Sequence, residues 1–386
     1  MPGRRIIHVI TPGDHFSPLT GSAIPTVVHG LAGAAVRDGE PRPAVVVDRS
    51  TWQPRYDSAV AIEYAGARGP DRRARYADAV RGRLGMPRRA VAAYYRPIAE
   101  AVRAQPPSIV LAHNAPILVW LLRDTPHRVV LYAHNDLLRT YSRAEAGRML
   151  RSAAAIVCVS ESLAARTRAR LPEALRGRVH VVGNGVDTAQ FAPADARLPG
   201  PVRVMFMGRV IPDKGADVLL RAVAQLDGAE LDSAELEVLI VGRPGFAADA
   251  PLSEHERELR ELAVRSGADV RFQTFVARAE LPALLRTADV FVVPSRWPDP
   301  SPLTVGEALA TGLPIIASRI GGIPEALGDA GILVPPDDPA ALADALRGLI
   351  ADPARRAALA TAARARAEQH DWSWSWRRLD AVVDQL

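Results

Sequence analysis

Short apolar runs recur along the chain, each followed by polar loop residues and mostly by a stretch with helical spacing. In the first half these runs are RIIHVI, PAVVVD, SIVLAH, RVVLYAH, AAIVCVS and VHVVGN. In the second half they are VRVMFMG, LEVLIVG, VRFQTF, VFVVPS, LPIIAS and GILVPP. Continuous apolar runs bounded by turn residues fit strands buried on both faces. Their alternation with helical patterns predicts parallel α/β structure. Helices are expected over Ala23–Asp38, Gly215–Gln225, Ser253–Ser266, Ala279–Thr287 and Pro339–Ile350. Two sets of strands argue for two doubly wound domains, over 1–190 and 198–370. Between them FAPADARLPGP, Phe191 to Pro201, is Pro-rich and aperiodic, which marks a linker. Near the end, Trp372, Trp374 and Trp376 fall at every second position and do not fit one helical face. That spacing predicts a bend leading into a final helix.

A chain of 386 residues is too long for one ordinary domain and about right for two. No apolar run approaches the roughly 18 residues that span a bilayer. The opening RIIHVI runs straight into TPGDH and reads as a first buried strand rather than a leader. Cys158 is the only cysteine. It permits no intrachain disulfide and fits a reducing cytoplasm. No Cys/His cluster has metal-ligand spacing, so no metal is expected.

Charge is unevenly placed. Residues 1–190 hold 27 Arg against 15 acids, whereas the remainder is acidic on balance. The densest basic stretch, Arg68 to Arg96, carries nine Arg against Asp71 and Asp78. It is either a solvated face or a site for an anionic partner, the cytoplasmic face of a membrane above all. Nucleic acid is not expected, since no aromatic platform or groove helix accompanies the arginines. Of the 48 basic residues only Lys214 is lysine. Where Arg has replaced Lys so thoroughly, a surviving lysine is either an accident or a candidate for a place that needs a compact ammonium.

Lys214 lies in GRVIPDKG, Gly208 to Gly215, between a strand and a helix. Arg209 and Lys214 there, beside a helix N-terminus, suit a pyrophosphate. Further on, Asp299 sits in a Pro-rich loop and Glu307 early in a helix, so both carboxylates can face one cleft, the alternative being two solvated acids around a helix start. The backbone N–H groups of Leu303 and Thr304 open that helix and suit a phosphate. Gly321, Gly322 and Glu325 form another close-approach loop. In the first half, His113-Asn114 and His134-Asn135-Asp136 end two strands and place imidazoles and amides at a rim. Gly21 and Ser22 join the first strand to the first helix and allow close approach of an anion. GxGxxG is missing there, which weakens any NAD reading. Asn184 ends the last strand of the first half.

In their order and spacing these motifs resemble the family-4 retaining glycosyltransferases, group 1, of GT-B fold. The likeness covers essentially the whole chain. It rests on LYAHND, VSESL, NGVD with the following F.P, GR….KG, ADVFVVPS, the acid-x7-Glu pair, ATGLPIIAS and GGIPE. It implies two Rossmann-like domains facing a deep interdomain cleft, with the C-terminal helix, 371–386, returning to the first domain. It implies a metal-independent retaining transfer from a nucleotide-sugar, UDP-sugar before GDP-sugar, to a hydroxyl of a glycan, glycolipid or small molecule. By the same likeness Arg209 and Lys214 hold the donor diphosphate, Glu307 the ribose and Asp299 the sugar hydroxyls. Leu303 and Thr304 give N–H groups to phosphate, and His134 stands at the reacting centre. Gly21, Ser22 and Phe275 join the donor side. His113, Asn135, Asp136 and Asn184 join the acceptor side. Several positions depart from the pattern. Asp299 replaces the usual Glu, Pro302 replaces a Gly and supplies no N–H, and Arg271–Phe275 lacks a Gly. Competing readings are an epimerase or hydrolase of the same fold and a non-catalytic nucleotide-sugar sensor.

Overall fold

The computed structural model describes residues 4–195, 200–226, 236–245, 251–274 and 276–386. It divides the chain into two compact units, one of Met1–Gly185 with Trp372–Leu386 and one of Val186–Asp371.

The first unit is built on seven strands. They are β1 (Ile6–Val9), β2 (Ala44–Asp48), β3 (Val60–Tyr64), β4 (Ile109–His113), β5 (Arg128–Ala133), β6 (Ala155–Cys158) and β7 (Val179–Val181). They lie in the order β3-β2-β1-β4-β5-β6-β7, and every pairing is parallel. The strand order turns back at β1 and β4, where ligands of doubly wound sheets bind beyond the carboxyl ends. Strand β3 escaped the sequence reading. It is an edge strand with Val60 exposed, so it lacks the apolar run that marks its buried neighbours.

The second unit repeats the plan with six strands. They are β8 (Arg203–Met207), β9 (Glu237–Val241), β10 (Asp269–Gln273), β11 (Val290–Val293), β12 (Ile315–Ser318) and β13 (Ile332–Val334). Their order is β10-β9-β8-β11-β12-β13, again all parallel. One core packs Val204, Phe206, Val238, Leu219 and Leu346 together, and another packs Met205, Phe291, Val305, Leu309 and Ile315.

Two boundaries differ from expectation. Phe191, read as the start of a linker, is fully buried in the core of the second unit beside Val186, so the division falls earlier, at Gly185. Of the linker stretch, residues 196–199 lie outside the described residues. The expected bend before the last helix is absent, because the helix Trp372–Val383 begins at the first tryptophan. Trp372 and Trp376, four apart, share its buried face. Trp374 stands to one side beneath the Arg378 guanidinium. The helix is fixed within the first unit. Trp376 Nε1 donates to Asp38 Oδ2 at 3.1 Å and Ser375 Oγ to the Gly183 carbonyl at 2.7 Å. The Trp372 ring lies so close to Gly30 that a Cβ there would overlap it.

The arginine-rich stretch forms two helices, Arg72–Arg83 and Arg89–Arg103. Asp78 on the first accepts from the Ala90 and Val91 N–H groups and so caps the second. Arg88 is not part of a solvated face. It is buried, paired with Glu145 at 2.6 Å, and lies 3.8 Å over the Tyr141 ring. Tyr95 is also buried, whereas Tyr76, Val80 and Leu84 are exposed. Among the described residues no helix is long and apolar enough to cross a membrane.

Candidate functional site

In the second unit, the loops after β8, β9, β11 and β12 are locked together by glycines and one arginine. After β8 a short turn, Pro212–Lys214, leads into the helix Ala216–Val223. Gly215 joins them with φ of 73°, and a Cβ there would overlap the Pro294 carbonyl. Across from it, the Arg296 and Trp297 N–H groups donate to the Asp213 carbonyl at 2.9 and 3.0 Å. The Arg296 guanidinium donates to both oxygens of Asp217 at 2.7 Å, to Asp337 at 2.7 Å and to the Pro212 carbonyl at 2.9 Å. Burial alone would raise the Asp217 pKa, but the Arg296 hydrogen bonds and charge bring it below the usual range. Arg296 therefore clamps the β11 loop to the turn that carries Lys214.

This framework brings Lys214 and Asp299 into a direct ion pair, both half-buried. Asp299 is braced on its other side, where its carbonyl accepts from Gly322 N at 2.7 Å. Gly321, at φ of 64°, lies against Pro298 and Asp299 with no room for a Cβ. Arg209 is exposed and has no ion-pair partner among the described residues.

The helix Leu303–Ala310 starts at Pro302. Among the described residues the N–H groups of Leu303 and Thr304 have no acceptor. Uncapped N–H groups at a helix start are an anion site. One turn on, Glu307 is buried, and its Oε1 lies 2.9 Å from Arg278 Nη1. That contact lacks hydrogen-bond alignment, so Oε1 is a buried acceptor without an aligned donor. Arg278 itself lies over the Phe191 ring, 5.6 Å from its centroid. Phe275 lies outside the described residues.

In the first unit, β4 and β5 end together. His134 N donates to Asn114 Oδ1 at 2.7 Å, and Asn114 N to the Tyr132 carbonyl at 2.9 Å. Asn114 takes a left-handed conformation, φ 54°, to make this closure. Three imidazoles then form a chain. His8 Nδ1 lies 3.0 Å from His113 Nε2, and His113 Nδ1 lies 2.8 Å from His134 Nε2. The Tyr132 ring stacks on both His113 and His134 at 4.8 Å. Burial pushes the pKa values of His8 and His134 down to about 3 and holds His113 well below its ordinary value. All three rings are neutral near pH 7.

His113 is thus corrected. It is fully buried with both ring nitrogens engaged, so it supports His134 from behind and does not stand at the rim. Asn135 is exposed, while Asp136 and Asn184 are half-buried near the strand ends. Gly21 is exposed, and Ser22 is the N-cap of the helix Ala23–Arg37, whose first turn carries no acid. Sequence reasoning missed His8, Arg278 and Arg296. The polar residue inside RIIHVI was a usable signal for His8, whereas the two arginines gave none among so many.

A family model described as "Glycosyltransferase Family 4" matches residues 24–190, and one described as "Glycosyl transferases group 1" matches 201–352. Among curated proteins, the D-inositol 3-phosphate glycosyltransferase 1 of Catenulispora acidiphila is 38% identical over 222 residues, 53% of this chain and 52% of that protein. The D-inositol 3-phosphate glycosyltransferase of Streptomyces avermitilis is 41% identical over 206 residues, 50% of this chain and 43% of that protein. The chain spans about half the length of the curated relatives it matches. Among solved structures, HepE of Anabaena in complex with UDP and glucose matches with TM-score 0.72 and 18% identity, over 99% of this chain and 100% of that one. A sucrose-phosphate synthase of Thermosynechococcus elongatus matches with TM-score 0.73 and 23% identity, over 99% of each chain. These two likenesses show the fold.

Proposed function

Because the chain belongs to the group 1, family-4 glycosyltransferases, we propose that it transfers a sugar, with retention, from a nucleoside-diphosphate sugar to an acceptor hydroxyl. The observation that carries this reading is the second unit's convergence of anion-binding groups. Lys214 is held by Asp299, and among the described residues Arg209 has no ion-pair partner and the N–H groups of Leu303 and Thr304 have no acceptor.

In this reading Arg209, Lys214 and the helix start hold the diphosphate and meet the charge that grows on it as the glycosidic bond breaks. Lys214, held in place by Asp299, together with Arg209 and the N–H groups of the helix start supplies the role a metal ion plays elsewhere, so the transfer needs no metal. Glu307 accepts from the ribose hydroxyls through its unsatisfied oxygen. Asp299 takes sugar hydroxyls while its partner Lys214 turns to phosphate. The bond from the anomeric carbon to the phosphate oxygen breaks as the acceptor oxygen bonds to that carbon on the same face. The departing phosphate oxygen takes the acceptor's proton. His134, neutral, hydrogen-bonds a sugar hydroxyl.

UDP-sugars are the first donors to try, since UDP and glucose occupy the solved HepE structure. An anionic polyol or sugar is favoured as acceptor by the basic first half and by the relatives named for inositol 3-phosphate. The exposed stripe Tyr76, Val80 and Leu84, among Arg72, Arg73, Arg75 and Arg83, favours a second partner, an anionic membrane surface. Mass spectrometry of products from UDP- and GDP-sugars, with inositol phosphates and other polyols, with and without EDTA, tests the reaction. Only free sugar as product makes the chain a hydrolase, a new nucleotide-sugar makes it an epimerase, and no product with tight donor binding makes it a sensor. Activity lost in EDTA and restored by magnesium or manganese overturns the metal-free step.

A further inference from the structure

The imidazole chain has two ends, and they differ. At the inner end His8 is fully buried, and its Nε2 has no hydrogen-bond partner among the described residues. At the outer end His134 is only partly buried, and its Nδ1 is bonded to nothing described. Between them each neighbouring pair of rings shares one hydrogen, because neutral imidazole carries one N–H and one lone pair.

Two arrangements satisfy both shared contacts. In one, the donors run outward, from His8 Nδ1–H to His113 Nε2 and from His113 Nδ1–H to His134 Nε2. His134 then carries its hydrogen on Nδ1. In the other, the donors run inward, His134 presents a bare Nδ1, and His8 is left with an Nε2–H buried and unpaired. Orphaned buried N–H groups are rarer than under-used acceptors, because a donor has a single hydrogen and loses its whole hydration. The outward arrangement puts only a lone pair in the apolar interior.

We propose that His8 and His113 are positioning residues that hold His134 as its Nδ1–H tautomer, so that it faces ligand as a hydrogen-bond donor. A free neutral imidazole favours the Nε2–H form, so the relay reverses an intrinsic preference. The rings hold this geometry by stacking, His113 on His8 at 5.3 Å and on Tyr132 at 4.8 Å. Low pKa values keep each ring to one hydrogen over the working pH range. The identity of the ligand oxygen as a sugar hydroxyl rests on the transferase reading, whereas the tautomer does not.

The test is long-range proton–nitrogen NMR on the whole chain with nitrogen-15 histidine, with His134 signals assigned by their loss in His134→Gln. The expected result is a neutral His134 protonated on Nδ1, and a shift toward the Nε2–H form in His113→Leu and in His8→Leu. An Nε2–H His134 in the parental protein overturns the proposal, as does an unchanged tautomer once the relay is cut. Should either variant fail to fold, the parental spectrum alone decides. A correct tautomer without any sugar transfer leaves the relay standing and removes the transferase reading.

Discussion

Glu307→Gln isolates the contact assigned to the donor ribose. The side chain is 4% exposed, and its Oε1 lies 2.9 Å from Arg278 without an aligned donor. Gln keeps the shape, removes the charge and turns one acceptor into a donor. Ribose hydroxyls donating to a carboxylate are hydrogen bonds to a charged group, each worth about 1.5–3 kcal/mol. At about 1.4 kcal/mol per decade, losing one weakens nucleotide binding by about 10- to 150-fold. The substitution also strips Arg278 of its counter-charge. That guanidinium retains 18% side-chain exposure, so water shares the load. The stability loss therefore stays below the about 3–5 kcal/mol seen when a fully buried pair is broken. Calorimetry with bare UDP reads the first effect and denaturant melts read the second. An unchanged UDP affinity in a folded variant refutes the ribose assignment, and a stability loss beyond that bound refutes the screening argument.

Arg209→Ala, at an exposed side chain with no ion-pair partner among the described residues, leaves stability unchanged but costs the transfer step about 2–4 kcal/mol, by analogy with a lost oxyanion donor. Parental kcat/KM refutes it. The first unit loses stability on acidification. His8 titrates near 3 when folded against 6.5 in its unperturbed state, so the unfolded chain binds more protons between those values. Its contribution is intact above pH 6.5 and falls by up to about 1.4 kcal/mol per pH unit below it, and flat denaturant midpoints between pH 7 and 5 contradict this. Anionic vesicles at low salt co-sediment the protein, and Arg72→Gln with Arg73→Gln, Arg75→Gln and Leu84→Ser releases it. Binding that ignores both charge and the Tyr76–Leu84 stripe sinks the membrane reading. Arg88 is left out because it is buried against Glu145.

The parallel architecture was legible because strands buried on both faces write continuous apolar runs, and twelve of the thirteen strands among the described residues fall on runs read from the sequence. Strand β3 was not, since an edge strand with an exposed Val60 needs no such run. The loops that carry Lys214, Asp299 and Leu303 were legible because glycine and proline restrict backbone so tightly that Gly215, Gly321 and Pro302 announce them. What stayed hidden depends on distance in space. Arg296 reaches Asp217 and Asp337, 79 and 41 residues away, and nothing local distinguishes it from the other arginines. His113 was misplaced for a related reason. A polar residue at a strand's end looks like a rim residue until its neighbours across the sheet, His8 and His134, are known. The tryptophan spacing misled because alternate positions on a helix lie far apart around its axis. Two of three such residues can share a buried face only when they are the outer pair.

Lys214 tests whether shape as well as charge matters at the proposed diphosphate site. Every other cation in the chain is arginine, so charge alone does not explain a lysine here. The framework gives a reason. Lys214 precedes a glycine pressed against the Pro294 carbonyl, in a turn clamped by Arg296, and its ammonium meets a half-buried Asp299 braced by Gly322. A compact ammonium can leave one carboxylate oxygen and turn to a phosphate within this small space. A guanidinium is planar and forms a two-pronged pair with a carboxylate, which ties it to Asp299 and orients its donors away from a second anion. Lys214→Arg is therefore expected to lose transfer activity nearly as far as Lys214→Ala, although it keeps the charge, while Asp299 stays paired and the fold stays intact. UDP calorimetry and initial rates on the three proteins decide it. If Lys214→Arg turns over like the parental enzyme, the site needs only positive charge, and the lone lysine is an accident of composition.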